Sequence, residues 1–275
     1  MAFQKGKANG HIDLLNKLHT FATANGWTSE RNETSDSEKE IALKSTGAGG
    51  NDSIVLMFRS NTIAASDAYN IKCRASSVWV PGVFDNLTGA SPTNALYLWN
   101  GEIDYYFIVS KERIIIACLL SGVTQYYYGG NLRTYTSKGH WAAPICCFAI
   151  GTDLNARWSA TGDNFSGWQH IRGSNPCMLQ DHDNTWTKPN YMYPSMDTGL
   201  TQNLRQFSNG DVPLMQQMVK HNSYGIVGEL PGVFGLSGFG LSNWQELTHS
   251  SGKKFLVIQN VYRADATDYL AVELS

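Results

Sequence analysis

"DYYFIVSKERIIIACLLSGVTQYYYGG", residues 104–130, is the stretch on which the architecture turns. Residues 103–109 and 114–120 are two apolar runs of strand length flanking the polar tetrapeptide SKER, the pattern of a β-hairpin. The second run is apolar at successive positions, so neither of its sides suits water. A strand of that kind is covered on both faces. It is expected to be a central strand with the N-terminal helix packed over it. The apolar character then continues into Tyr126, Tyr127 and Tyr128 and stops at Gly129-Gly130. In a strand Tyr126 and Tyr128 point to one face and Tyr127 to the other. At least one of those faces is expected to be only partly buried and to meet another subunit near a Gly-Gly turn.

Working outward, "HIDLLNKLHTFATANGW" reads as a helix, with Ile12, Leu15, Leu18, Phe21 and Ala22 at helical spacing and Gly26 as its stop. "TSERNETSDSEKE" reads as a solvated loop or a hairpin edge. "SIVLMFRS" and the alternating "YNIKCR" read as an antiparallel pair joined by "NTIAASDA". From Asp153 to about His221 periodicity is lost and long ordered loops are expected, with a short helix over residues 213–221, "PLMQQMVKH". Strands return in "GIVGELPGVFGLSGFG" and in "FLVIQNVYRADATDYLAVEL", a hairpin turning at residues 264–267. The echo of PGVFD at 81 in PGVFG at 231 is read as repeated strand chemistry, because the neighbouring hairpins stand in opposite order around the two. The fold class is therefore α+β, mainly antiparallel β-sheet with an N-terminal helix. Two lobes are expected, residues 1–152 and 153–275, packed as one unit.

The chain has 275 residues, enough for a sizeable core, of which 42% are hydrophobic and only 16% charged. That charged share is low beside the roughly 25% of ordinary soluble domains, and a weakly charged surface suits standing contact with neighbours. A net charge of −2 and the absence of a basic stripe speak against a nucleic-acid partner. The first residues carry no apolar targeting run, and no segment approaches 18 apolar residues, so no membrane insertion is expected. The five cysteines, at 73, 118, 146, 147 and 177, show no C-x-x-C spacing and are expected to be buried free thiols.

A search for chemistry finds no complete signature. "GLSGFG" has Phe239 where a nucleophile elbow needs glycine, and "GAGGND" lacks the third glycine of a dinucleotide fingerprint. "QDHDNTW" places Asp181, His182 and Asp183 together, but adjacent residues seldom converge on one metal ion, so a loop with local Asx hydrogen bonds is the expectation. Glu102 and Asp104 share a strand face, whereas paired glycosidase carboxylates stand on facing elements. The other histidines show no visible partner. No catalytic residue, cofactor or metal site is expected. The aromatic residues carry more: Tyr126, Tyr127, Tyr128, Tyr135, Trp141 and Trp186 are the candidate interface, because Tyr and Trp give large contact area at low entropic cost. An aromatic platform for carbohydrate is the alternative use of the same side chains.

The order of several motifs resembles a group of tailed-bacteriophage virion proteins encoded among tail and baseplate genes. The shared segments are the opening helix, "DAYNIKC", "LYLWNGEIDYYFIVSKERIIIACLLSGVTQYYYGG", "LRTYTS" and the closing "GELPGVFGLSGFG" with "FLVIQNVYRADATDYLAVEL". They cover roughly residues 9–150 and 224–275. The chain departs from the group at "GHWAAPICC", where the group carries Pro-Tyr-Pro. The resemblance implies a non-enzymatic structural subunit, made in the host bacterial cytoplasm and residing in the virion tail. Its partners would be other virion subunits, including copies of itself. A neck, collar or capsid-surface protein, or a carbohydrate-binding module meeting a host glycan, are the alternatives.

Overall fold

The structure, a computed structural model, describes residues 1–35, 38–137, 140–160, 162, 177–193, 207–261 and 269–275. Among the described residues its frame is three antiparallel sheets and one α-helix, as the fold class read from the sequence has it. The middle sheet runs β1 (Ala2–Asn9), β7 (Glu102–Ser110), β8 (Arg113–Leu120), β9 (Val123–Asn131), β11 (Ile145–Phe148), β12 (Cys177–Gln180) and β13 (Trp186–Thr187). The hairpin expected around SKER is present, with Val109 opposite Ile114 and Tyr105 opposite Cys118.

A second sheet runs β2 (Thr28–Ser35), β3 (Glu38–Ser45), β4 (Ile54–Ile63), β5 (Ala68–Ser76) and β6 (Asn94–Leu96). The third runs β14 (Tyr191–Tyr193), β15 (Met215–His221), β16 (Gly225–Leu236), β19 (Tyr269–Glu273), β18 (Lys254–Gln259) and β17 (Glu246–Thr248), with β10 (Arg133–Thr134) added beside β16. Strands cross the expected boundary at 152 in both directions: β12 joins the first half's sheet and β10 joins the second half's.

The helix α1 (Gly10–Ala24) is closed at both ends by local polar groups. The Asn9 backbone amide donates to the Asp13 carboxylate at 2.8 Å, Lys17 clamps Asp13 one turn on, and the Asn25 side-chain Nδ2 donates to the Phe21 carbonyl at 2.8 Å. Gly26, at φ 95°, then turns the chain where a side chain would be strained. The helix buries Leu14, Leu15, Leu18 and Ala22. It packs on β1, β3 and β7, beside the strand it was expected to cover, and Phe21 lies 6.4 Å from Phe107 on β7.

Alternation along the middle sheet explains why its sequence is apolar throughout. Phe107, Ile116 and Tyr127 form one cross-strand row, and this row faces α1 and the second sheet: Phe58 of β4 meets Tyr127 edge-on at 5.2 Å. Tyr106, Ala117 and Tyr126 form the adjacent row on the opposite face. There Tyr106 meets Trp244 at 5.1 Å, and Thr124 exchanges a hydrogen bond with Asn243, both beside the third sheet. The middle sheet is therefore a filling between two layers, and each large side chain it buries stabilises by about 1.5–3 kcal/mol.

Two local expectations are corrected. Residues 213–221 do not form a helix but feed β15, where Gln217, Val219 and His221 are buried at every second position. Pairing with β16 overrides the helix preference of Met, Gln and Lys. Residues 153–221 are not purely loops, since β12 to β15 lie within them. The two PGVF echoes adopt different structures, an irregular turn at 81–84 and the interior of β16 at 231–234. The turn expected at 264–267 lies outside the described residues.

Candidate functional site

The three tyrosines nominated as an interface are the first correction. Tyr126, Tyr127 and Tyr128 are all fully buried, because both faces of β9 are covered. Gly129-Gly130 is no turn; both residues lie inside β9, opposite Ile114 and Arg113. Their smallness serves packing. A Cβ on Gly129 would stand 2.1 Å from the Tyr127 hydroxyl, so the ring lies across the space where that side chain would be. A Cβ on Gly130 would stand 2.3 Å from the Glu112 carbonyl oxygen.

Two other nominated residues come together elsewhere. Where the rims of the middle and third sheets meet, a cleft of about 260 Å³ is lined by Thr136, His140, Trp141, Asp181, His182, Tyr224 and Val227. Trp141 is buried as its floor and donates its indole N–H to the Gln180 carbonyl at 2.8 Å, so it is not a surface contact. Tyr135 stands next to the rim, 55% exposed, with its amide on the Val227 carbonyl and its hydroxyl on Glu229 at 3.1 Å. Trp186 is not part of this site. It is half-buried and donates to the Gly89 carbonyl at 2.8 Å, next to a loop that exposes Val78, Val80 and Val83.

The polar centre of the cleft is Asp181. One carboxylate oxygen accepts from the His182 amide at 2.7 Å and from His182 Nδ1 at 2.8 Å; the other accepts from His221 Nε2 at 3.0 Å. Nδ1 of His221 in turn accepts the Ser223 amide at 3.0 Å, which assigns the Nε2–H tautomer and commits both ring nitrogens. The His221 ring is therefore a platform rather than a free base. Tyr224 lies parallel on it at 4.7 Å, and Trp141 and His182 close the group edge-on at 6.5 Å and 5.5 Å, from His221 and Tyr224 respectively. Tyr224 is 58% exposed and its neighbour Ile226 is exposed as well.

Local sequence explains the placement. The three-residue loop between β15 and β16 closes on Gly225 at φ 75°, and this turn folds Tyr224 back over His221. The loop between β12 and β13 is the expected Asx turn. Asp183 accepts from the Thr185 amide and hydroxyl, Asn184 takes φ 66°, and Asp181 is left free to face the cleft. Burial opposes ionisation of Asp181, but the hydrogen bonds from His182 and the proximity of His221 together hold its carboxyl below the usual range. The same hydrogen bond raises the His182 pKa.

Nothing local in the sequence marks a partner for His221; its partner, Asp181, lies 40 residues away in the QDHDNTW segment. Among the described residues no three His, Cys, Asp or Glu side chains are grouped to hold a metal ion. Glu102 and Asp104 stand on the sheet surface, where Lys7 of the neighbouring strand pairs with both. The five cysteines are buried and none forms a disulfide. No protein-family model matches the chain, and no curated protein matches it either.

Proposed function

We propose that this chain is a structural subunit of a tailed-bacteriophage virion, stationed at the tail end or baseplate and acting through protein–protein assembly contacts without catalysis. The observation that carries the reading is where the resembling motifs fall. The opening helix, "DAYNIKC", the "LWNG" hairpin and the closing strands are α1, β5, β7 to β9, β16, β18 and β19, the frame that packs the three layers together. Motifs that build a frame suit a protein whose work is to hold position. The low charge content and the exposed apolar side chains at strand ends, Tyr135, Tyr224 and Ile226 on one rim and Val78, Val80 and Val83 on a separate loop, supply surface of the kind subunit contacts use.

The test is mass spectrometry of gradient-separated heads and tails from particles of the phage that encodes the chain. Recovery in the tail fraction at constant copy number supports the proposal. Recovery with heads moves it to a neck, collar or capsid surface, and absence from purified particles refutes it. One observation favours a second reading, a carbohydrate-binding role at the host surface: the exposed Tyr224 ring beside the His182–Asp181 pair matches the stacking face and hydrogen-bonding edge that a sugar needs. A glycan array in which a hit is lost on Tyr224→Ala would promote it.

A further inference from the structure

Arg113 opens β8 and is only 7% exposed. Its Nη2 reaches the Met1 sulfur at 3.2 Å, and its buried Nε has no hydrogen-bond partner. Among the described residues no carboxylate comes within ion-pair distance of it. Arg31 and Arg59, by contrast, share Glu40 at 2.7 Å and 3.5 Å. A thioether is a weak acceptor, so among the described residues the buried guanidinium has no direct carboxylate partner, and pairing with one would satisfy it.

The surroundings are shaped to keep the group there. Gly130, at φ 136°, leaves the space 2.6 Å from the Arg113 Cα where its Cβ would stand. Gly232, at φ 73°, does the same 2.5 Å from Nη2. Gly130 on β9 makes room for the β8 backbone at Arg113, and Gly232 on β16 makes room for the guanidinium itself. Arg113 lines an open cleft of about 670 Å³ together with Lys111, Glu112, Ser110 and Ala48, the last from the glycine turn at 47–50. Glu112 forms no ion pair with Arg113, and the two cations leave the lining one positive charge in excess.

We propose that this cleft binds an oxyanion, a carboxylate or phosphate group, with Arg113 as the charge that receives it and Lys111 as the second cation. A planar guanidinium presents parallel N–H groups that match the two oxygens of such a ligand, and a buried one gains more from the pairing than a surface one. The site shares no lining residue with the aromatic cleft and does not depend on the virion reading.

The experiment is thermal unfolding of the full chain in acetate, in phosphate and in chloride at one ionic strength. It is repeated on Arg113→Met, which removes an uncompensated charge while keeping bulk, and on Lys111→Met at an exposed position. The wild-type Tm is expected to rise by about 3 °C over chloride at a tenfold excess of ligand over Kd. A larger response to phosphate identifies a phosphoryl ligand, and a larger response to acetate a carboxylate. Arg113→Met should lose the response, and Lys111→Met should weaken the apparent affinity several-fold. A wild type that responds to neither anion overturns the proposal. So does an Arg113→Met protein that responds like wild type, or, should that variant fail to fold, a Lys111→Met protein with unchanged affinity.

Discussion

Replacing Tyr127 and Tyr224 in parallel separates buried aromatic framework from aromatic surface. Tyr127 is fully buried, meets Phe58 edge-on at 5.2 Å, has its hydroxyl 3.8 Å from the Cys147 sulfur and lies across Gly129. Truncation to Ala empties the volume of a ring between two sheets that are tied together at several other points, so little collapse can refill it. The cost is about 3–5 kcal/mol, the range for deleting a large core aromatic. In a chain of this size that corresponds to a fall in Tm of about 6–15 °C. Tyr127→Phe keeps the ring and loses only a hydroxyl facing a soft acceptor, so it should stay within about 1 kcal/mol of wild type. Tyr224→Ala removes a ring that is 58% exposed and should change stability by about 0.5 kcal/mol or less. Urea unfolding followed by tryptophan fluorescence reads all three, with unchanged m-values showing that the unfolded reference is unaltered. A Tyr127→Ala protein within 1 kcal/mol of wild type, or a Tyr224→Ala protein as destabilised as Tyr127→Ala, would refute the placement of these rings.

Two further expectations concern titratable groups. His11 is buried at the start of α1, its Nε2 3.0 Å from the Thr62 hydroxyl, and burial pushes its pKa down to about 4. The unfolded chain takes up this proton near pH 6.5, so the stability is present above that pH and is lost as pH falls toward 4, by roughly 3 kcal/mol. Urea midpoints measured at pH 7, 5.5 and 4.5 should fall for wild type and fall less for His11→Gln; parallel slopes would contradict the assignment. Burial also raises the thiol pKa of every cysteine, that of Cys147 to about 11. A disulfide exchange reagent at pH 8 should therefore modify no thiol of the native protein on the timescale that modifies all five in urea. Fast native labelling of any one of them would place that cysteine outside the core.

Much of the frame was legible because a fully covered antiparallel strand leaves a distinctive trace. The apolar residues at successive positions of 114–120 announced a strand with two covered faces. The same reasoning, carried six to eight residues further, buries Tyr126 to Tyr128 as well. It stopped at the tyrosine hydroxyls and at Gly129-Gly130, which look like surface and turn. In the fold one hydroxyl meets a cysteine sulfur, another donates to the Asn131 carbonyl at 2.8 Å, and the glycines clear space for a ring and a neighbouring strand. Residues 215–221 misled for the opposite reason. Their residue types favour a helix, and only pairing with β16 reveals the two-residue period. The aromatic cleft was half visible: Tyr135, Trp141 and the Asp181–His182 motif were singled out, while His221 and Tyr224 were not. Nothing local marks them, because their significance comes from a sheet contact that brings residue 221 to residue 181.

That contact also says how the cleft comes to exist. Trp141 sits on the connection from β10 to β11, which leaves the third sheet and enters the middle one. Asp181 and His182 sit on the β12–β13 turn at the edge of the middle sheet, and His221 at the end of β15 with Tyr224 on the turn that follows, in the third. No single sheet holds the stacked group. It forms only when β12, from after residue 152, has paired with β11 and when β10, from before it, has paired with β16. A strand exchange of this kind costs loop closure during folding, since its contacts join distant parts of the chain. Its consequence is that the complete cleft, with Trp141 and Asp181 set against Tyr224, is presented only by a molecule whose two halves are already joined. Under the assembly proposal, a contact made through this cleft would be open only to the completed fold.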